Sequence, residues 1–324
     1  MFNLNIVQGG GVGWVFDRFG DAIREHVDPE LVITPHAIPD ANQYLFIAPQ
    51  YAATATKEQL SRSTVMIHHI NPFPPFDLAS RVHILKAAKR VVVTNKIMVD
   101  LFRKFKLAPP KLIHHGIDTE KFAPGLRGLV GEPFTIGICG RNHADMRKGP
   151  KRIISILVQL SKIMPIRVVF NGLGWEPVGE MLAQHGVNST LWHGSMAYET
   201  YPAYYKTIDA LLIASEVEGG PYPALEALAT GVPVVSTRVG YMPELEVPEI
   251  RNVQLYDGPA EAVGMLARLK EIPTHPRDVA MTVADWTWPA VCRRWSEVFK
   301  TEISKSNEIS KSNEISKNGG HETC

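Results

Sequence analysis

The sequence predicts an α/β protein of two doubly wound, Rossmann-like domains, and three observations carry that prediction. Its 324 residues exceed what one typical domain holds. Short apolar runs alternate with helical stretches along most of the chain, the pattern of strand–helix–strand units around a mostly parallel sheet. The alternation occurs twice, on either side of the Gly- and Pro-rich stretch GIDTEKFAPGLRGLVGEP at 116–133.

In the first set, FNLNIV (2–7) is a strand leading into Gly9, Gly10, Gly11 and Gly13, and a helix follows from about Trp14 to His26. Further strands are expected at YLFIAP (44–49), TVMIHH (64–69), RVVVT (90–94) and KLIHH (111–115). The second set runs FTIGICG, a helix from about Pro150, IRVVFNG, a helix near 176–185, STLWHG, IDALLIAS, a helix after Pro221, and VPVVST. DWTWPAVCRRWSEVFK (285–300) reads as a closing amphipathic helix. The tail repeats ISKSNE at 303–308 and 309–314. One Ile per six residues cannot bury a core, so the tail is expected to be disordered. The expected division is a first domain over 1–125, a second over 126–285, the closing helix over 286–300 and the tail over 301–324.

Hydrophobic residues make up 45% and the formal net charge is +1, so global charge gives no argument for nucleic acid or membrane. Cys139, Cys292 and Cys324 stand far apart, which fits a reducing compartment better than a disulfide framework. The N-terminus lacks a signal-peptide pattern, and no apolar run approaches the ~18 residues of a membrane span. A soluble cytoplasmic protein is expected. Residues 81–111 hold nine Lys and Arg against one acid, Asp100. Such a run is ordinarily a solvated face. Its functional reading is a surface for an anionic membrane or another polyanion, which would make the protein peripheral at the membrane.

The most informative segment is SEVEGGPYPALEALATGVPVVSTRVG (215–240). A buried strand, a turn containing Gly219, Gly220, Pro221 and Tyr222, and a helix start form the arrangement that aims backbone N–H groups at a phosphate. Glu218 stands at the mouth of the turn and Glu226 on the helix. Carboxylates repel phosphate, so they are better suited to accepting hydrogen bonds from sugar hydroxyls. Together these features point to a nucleotide-sugar site. The glycine cluster at 9–13 does not fit G-x-G-x-x-G, because Trp14 or Phe16 falls where the third glycine is needed, which weakens a nicotinamide-cofactor reading.

The segment resembles the E-x7-E signature of retaining glycosyltransferases of the GT-B class, the group 1 or GT4-type family, with GVPVVST, VG and PEL following in the family's order. The resemblance implies the GT-B fold: two Rossmann-like domains, a cleft between them and a C-terminal crossover helix. It implies transfer of a sugar from a nucleotide diphosphate-sugar (UDP, GDP or ADP) to an acceptor hydroxyl, with anomeric configuration retained and no obligatory cofactor or metal. The sequence holds no D-x-D and no ligand cluster at metal spacing. On the family pattern, Arg141 and Lys148 in GICGRNHADMRKGP clamp the diphosphate, Glu218 holds the donor sugar and Glu226 the nucleotide ribose. Gly10, Gly11 and Gly13 approach the donor phosphate or the acceptor. His68 is favoured over its neighbour His69 as the histidine beside the transferred sugar. Glu244 resembles a family position near the same site. His114 and His115, where the family often has Pro–Asn–Gly, are read as turn and linker. Trp192 or His193 is placed beside the base, with a buried core Trp as the equal alternative.

The acceptor is expected to be a lipid-linked or polysaccharide glycan, then a protein, then a nucleic-acid base. Two other classes stay open: a sugar-nucleotide epimerase on the same scaffold, and a non-catalytic GT-B protein that binds a nucleotide sugar.

Overall fold

The computed structural model describes residues 3–8, 14–27, 31–70, 78–125, 133–193, 198–247 and 249–299. The glycine cluster with Gly10, Gly11 and Gly13 and the repeat tail lie outside the described residues. The first sheet is built from β1 (Leu4–Val7), β2 (Val32–Thr34), β3 (Gln43–Phe46), β4 (Ser63–Ile67), β5 (Arg90–Val93) and β6 (Lys111–Leu112). Their connections carry α1 (Trp14–His26), α2 (Lys57–Ser61), α3 (Val82–Ala87) and α4 (Lys96–Lys104). The strands stand in the order β2-β1-β3-β4-β5-β6, and each pairing is parallel.

The second sheet holds β7 (Phe134–Cys139), β8 (Ile166–Asn171), β9 (Asn188–His193), β10 (Ala210–Ile213), β11 (Val234–Ser236) and β12 (Val253–Leu255). Its helices are α5 (Pro150–Ser161), α6 (Glu176–Gln184), α7 (Tyr201–Lys206), α8 (Tyr222–Ala229), α9 (Met242–Leu245), α10 (Pro259–Glu271) and α11 (Pro276–Met281). The order is β12-β11-β10-β7-β8-β9, again parallel throughout. Parallel strands covered by helices on both faces need apolar residues on both sides, which is why β3, β4 and β10 read as unbroken apolar or buried runs.

The chain leaves the first sheet through residues 116–125, where Ile117 and Phe122 are buried in the core of the second sheet. It returns as α12 (288–299), which places Val291, Cys292, Trp295, Val298 and Phe299 in the core of the first. The outgoing and returning segments pair. Ile117 N–H donates to the Trp286 carbonyl at 2.8 Å, and Trp288 N–H donates to the Ile117 carbonyl at 3.3 Å. Among the described residues no helix is long and apolar enough to cross a membrane.

Candidate active site

In the second sheet β8 and β9 follow β7 on one side and β10 lies on the other, so the strand order reverses between β7 and β10. Ligands of open α/β sheets bind outside the strand ends at such a point. The loops after these two strands bring together Lys148, ahead of α5, and Ser215 and Glu218, after β10. Lys148 Nζ donates to Glu218 Oε1 at 2.5 Å, and Ser215 Oγ donates to the same oxygen at 2.9 Å. The Lys148 and Glu218 side chains are 15% and 13% exposed. Burial raises the Glu218 pKa, but the charge and hydrogen bond of Lys148 and the Ser215 hydroxyl outweigh it, so the carboxyl is held below its ordinary value. A small recess beside the pair is lined by Cys139, Trp175, Ala214 and Pro221. The Cys139 thiol is pushed up to about 12 by burial and by Glu226, and it is no nucleophile at neutral pH.

Arg141 lies in the same loop as Lys148 and is exposed. His143, between them, is lowered by burial and then by the charges of Arg147, Lys148 and Arg141, with Asp145 opposing. Of this loop, Lys148 lines the recess, and the charges of Arg147, Lys148 and Arg141 are all felt at His143. Arg147 itself is engaged by Asp145 at 3.3 Å and His143 at 2.8 Å.

Glu226 sits on α8 with no exposure. Tyr205 donates its hydroxyl to Glu226 Oε2 at 2.7 Å, and the Tyr198 hydroxyl also bonds the carboxylate. Burial pushes the Glu226 carboxyl up to about 7, against these hydroxyls and the charges of Arg18 and Lys121. Arg18 of the first domain and Lys121 of the crossing segment both lie over the Tyr198 ring. A carboxylate expected to take ribose hydroxyls is thus engaged through Oε2 by the Tyr205 hydroxyl, while its buried Oε1 has no hydrogen-bond partner among the described residues. Sequence reasoning missed Arg18, Lys121 and Tyr198, because their meeting joins segments far apart in the chain.

The turn between the two glutamates is wedged between the domains. A Cβ on Gly219 would stand 2.5 Å from His68 Cβ and 2.8 Å from the His68 carbonyl. One on Gly220 would run into the Tyr241 ring. Pro221 precedes α8 and Tyr222 begins it, both buried. His68 is held on both ring nitrogens. Nε2 donates to the Ile47 carbonyl at 2.8 Å, which leaves Nδ1 to accept from His115 Nε2 at 3.0 Å. Burial lowers His68 to about 4 and His115 well below its ordinary value. His69 lies in the field of Glu218, Arg147, Arg81 and Lys148, and burial, the largest effect, keeps it low too.

His114 and His115 lie, as read, in the irregular segment after β6, but they also make contacts to the second domain. His115 is 4% exposed and stacks on Tyr222 with ring centroids 4.5 Å apart, while His114 Nε2 meets Glu244 Oε2 at 2.8 Å. The signal lay in two apolar runs, TVMIHH and KLIHH, that each close on His–His just beyond a strand of the same parallel sheet. Glu244 also accepts from Lys96 N–H of the first domain at 2.7 Å. Trp192 is half-buried and meets Tyr204 edge-on at 6.1 Å, and the side chain of His193 lies outside the described residues.

The basic segment is partly consumed inside the fold. Arg81 is buried, Arg90 donates to the Val298 carbonyl, and Lys111, Arg103 and Lys96 pair with Glu297, Asp100 and Glu244. Lys86, Lys104 and Lys106 are exposed, the last two flanking the half-exposed Phe105 in the chain. Among the described residues no three His, Cys, Asp or Glu side chains converge as a metal-ligand group.

Residues 130–274 match the family described as Glycosyl transferases group 1. The chain is 24% identical over 234 residues to the MMP alpha-(1->4)-mannosyltransferase of Mycolicibacterium hassiacum, covering 66% of this chain and 54% of that protein. It thus spans about half the length of the curated relatives it matches. The sucrose-phosphate synthase of Thermosynechococcus elongatus superposes with a TM-score of 0.76 at 16% identity, over 94% of this chain and 100% of that one. Anabaena Alr3699/HepE in complex with UDP and glucose gives 0.74 at 14%, over 93% and 100%. The match to the group 1 glycosyl transferases thus lies within residues 130–274, and the chain as a whole has the two-domain GT-B fold of these solved neighbours.

Proposed function

We propose that this chain is a retaining glycosyltransferase that moves a sugar from a nucleotide diphosphate-sugar to an acceptor hydroxyl. The observation that carries the reading is the Lys148–Glu218 pair at the strand-order reversal, one helix start away from the buried carboxyl of Glu226. In this reading Lys148 and Arg141 face the diphosphate, Glu218 and the Gly219–Tyr222 turn face the donor sugar, and Glu226 takes the ribose once Tyr198 withdraws. His69 joins His68 as a candidate beside the sugar, because it shares the field of Glu218 and Lys148.

When the bond from C1 to the phosphate oxygen breaks, its electron pair leaves with the diphosphate, whose charge grows. Fixed cations stabilise that charge more in the transition state than in the ground state. The acceptor oxygen bonds C1 on the same face and passes its proton to the leaving phosphate. The reading assigns the charge work to Arg141 and Lys148, so turnover is expected to survive EDTA. A hexose donor is supported by the mannosyltransferase relative and by the solved neighbour holding UDP and glucose. The acceptor placed first is a lipid-linked or polysaccharide glycan, with Lys86, Lys104, Lys106 and Phe105 as the surface toward an anionic membrane.

The test is a thermal-shift screen against UDP-, GDP- and ADP-sugars without metal, followed by release of free nucleotide from any hit. Stabilisation by one donor class with slow nucleotide release supports the reading, since a ligand at 100-fold its Kd adds about 2.7 kcal/mol. Sugar interconversion without an acceptor would identify an epimerase instead, and no shift with any donor would favour the non-catalytic alternative.

A further inference from the structure

The turn joining β5 to α4 receives the second domain through three consecutive residues. Thr94 Oγ1 and Asn95 Nδ2 donate to the Gly219 carbonyl at 2.8 and 2.6 Å. The same two groups lie 3.4 and 3.2 Å from the His68 carbonyl. The next N–H, that of Lys96, donates to Glu244 Oε1 at 2.7 Å. Thr94 and Asn95 are 0% and 1% exposed. Polar side chains buried this deeply are unfavourable unless paired, and here their pairing runs across the domain boundary. Asn95 does two things at once. Its Oδ1 caps α4 by accepting from Met98 N–H at 2.9 Å, and its amide reaches over the cleft.

We propose that Thr94, Asn95 and Glu244 form a clasp that holds the cleft shut and sets the Glu218 turn in its working geometry, which makes Thr94 and Asn95 positioning residues for sugar transfer. The chemistry of this inference rests on the glycosyltransferase reading, whereas the geometry stands without it. Gly219 directly follows Glu218, so anchoring its carbonyl orients the peptide from which Glu218 reaches Lys148. The His68 carbonyl shares the same donors, so one pair of side chains registers the strand end bearing His68 and His69 against the turn bearing Glu218. His114 joins the clasp to the crossing segments, because it bonds Glu244 and packs tilted against Trp286 with ring centroids 4.2 Å apart. Small displacements of groups around a reacting centre reduce rate far more than they reduce binding.

Two conservative substitutions separate the clasp from the helix cap. Asn95→Asp keeps a capping oxygen but replaces the cross-cleft donor with a carboxylate oxygen that repels the Gly219 carbonyl. Thr94→Val keeps the shape and removes the hydroxyl. In the full chain, hydrogen exchange at 216–221 is read without substrate. Turnover is read as UDP release from UDP-glucose or GDP release from GDP-mannose, with donor affinity by calorimetry.

Both variants are expected to exchange faster at 216–221 and to lose about tenfold in kcat, with donor Kd within about threefold of wild type. Thr94→Ser, which retains the hydroxyl, restores the rate. Wild-type exchange and wild-type kcat in both variants overturn the clasp and leave Asn95 with its helix cap alone. If the wild-type chain turns over neither donor, the functional reading loses support while the exchange arm still decides the clasp.

Discussion

Glu218 and Glu226 have seven residues between them in a signature and have opposite electrostatics. Burial drives the Glu226 carboxyl up to about 7, and the Tyr205 and Tyr198 hydroxyls offset that only in part. A glutamate raised from its ordinary value of 4.5 binds a proton in the folded chain that the unfolded chain has released. Its stabilising contribution is therefore complete below pH 4.5 and is lost as pH rises through about 7. The neutral isostere Glu226→Gln should melt near wild type at pH 5 and above wild type at pH 8, while losing donor-induced stabilisation at both. A melting difference that does not change with pH would show that the carboxyl is unperturbed. Glu218 is depressed because Lys148 and Ser215 favour its charge. Removing one partner of this pair leaves the other charged and largely buried, which costs roughly 3 kcal/mol for buried pairs and somewhat less at the partial exposure here. Lys148→Ala and Glu218→Ala should each abolish transfer and lower the melting temperature, and the double variant should lose less stability than the two singles together. Additive losses would mean that the two side chains act independently.

At the scale of elements, the parallel interior strands were legible because burial on both faces forces a continuous apolar run. Two of the four sheet-edge strands, β2 and β12, were not, although the edges β6 and β9 were; both missed strands are three residues long, and β2 is half-exposed along its length. The site divides in the same way. Glu218, the turn and Glu226 lie on one contiguous strand–turn–helix stretch, and local pattern reveals them. His68 with His115, Asn95 with Gly219 and His114 with Glu244 are separated by 47, 124 and 130 residues, and no local periodicity encodes such pairings. The turn itself supplies a prediction that separates crowding from propensity. Gly219→Ala puts a methyl against the His68 backbone, which cannot yield as a side chain end would, so the cleft must open there. That variant should lose both stability and the exchange protection of 216–221. Gly264 lies within α10 with nothing within 4 Å of its Cβ position, so Gly264→Ala should instead stabilise by about 0.5–1 kcal/mol. Equal effects from the two substitutions would refute the close approach at His68.

For the whole molecule, the two domains are not independent folding units joined by a tether. The first sheet takes part of its core from the far end of the chain. Trp295 is fully buried there, edge-on to Phe19 at 5.3 Å and stacked on Phe299 at 5.7 Å. Val291, Cys292 and Val298 join Leu4, Ile6, Ala22 and Ile23 in the same cluster. A fragment of residues 1–125 would expose this face of α1 and β1, and it should show helical circular dichroism without a cooperative melt. A peptide covering 286–300 should restore the transition, because it supplies the missing aromatic and aliphatic groups. In the full chain, Trp295→Ala should destabilise by about 3–5 kcal/mol, the range for emptying a large buried aromatic site. Because the outgoing and returning segments pair at Ile117 and Trp286, that loss should reach the interdomain crossing and raise hydrogen exchange at 116–118 as well as within α12. A fragment of 1–125 that melts cooperatively without the peptide would show that the first sheet is complete without the returning helix, and would place the contribution of Trp295 in domain docking alone.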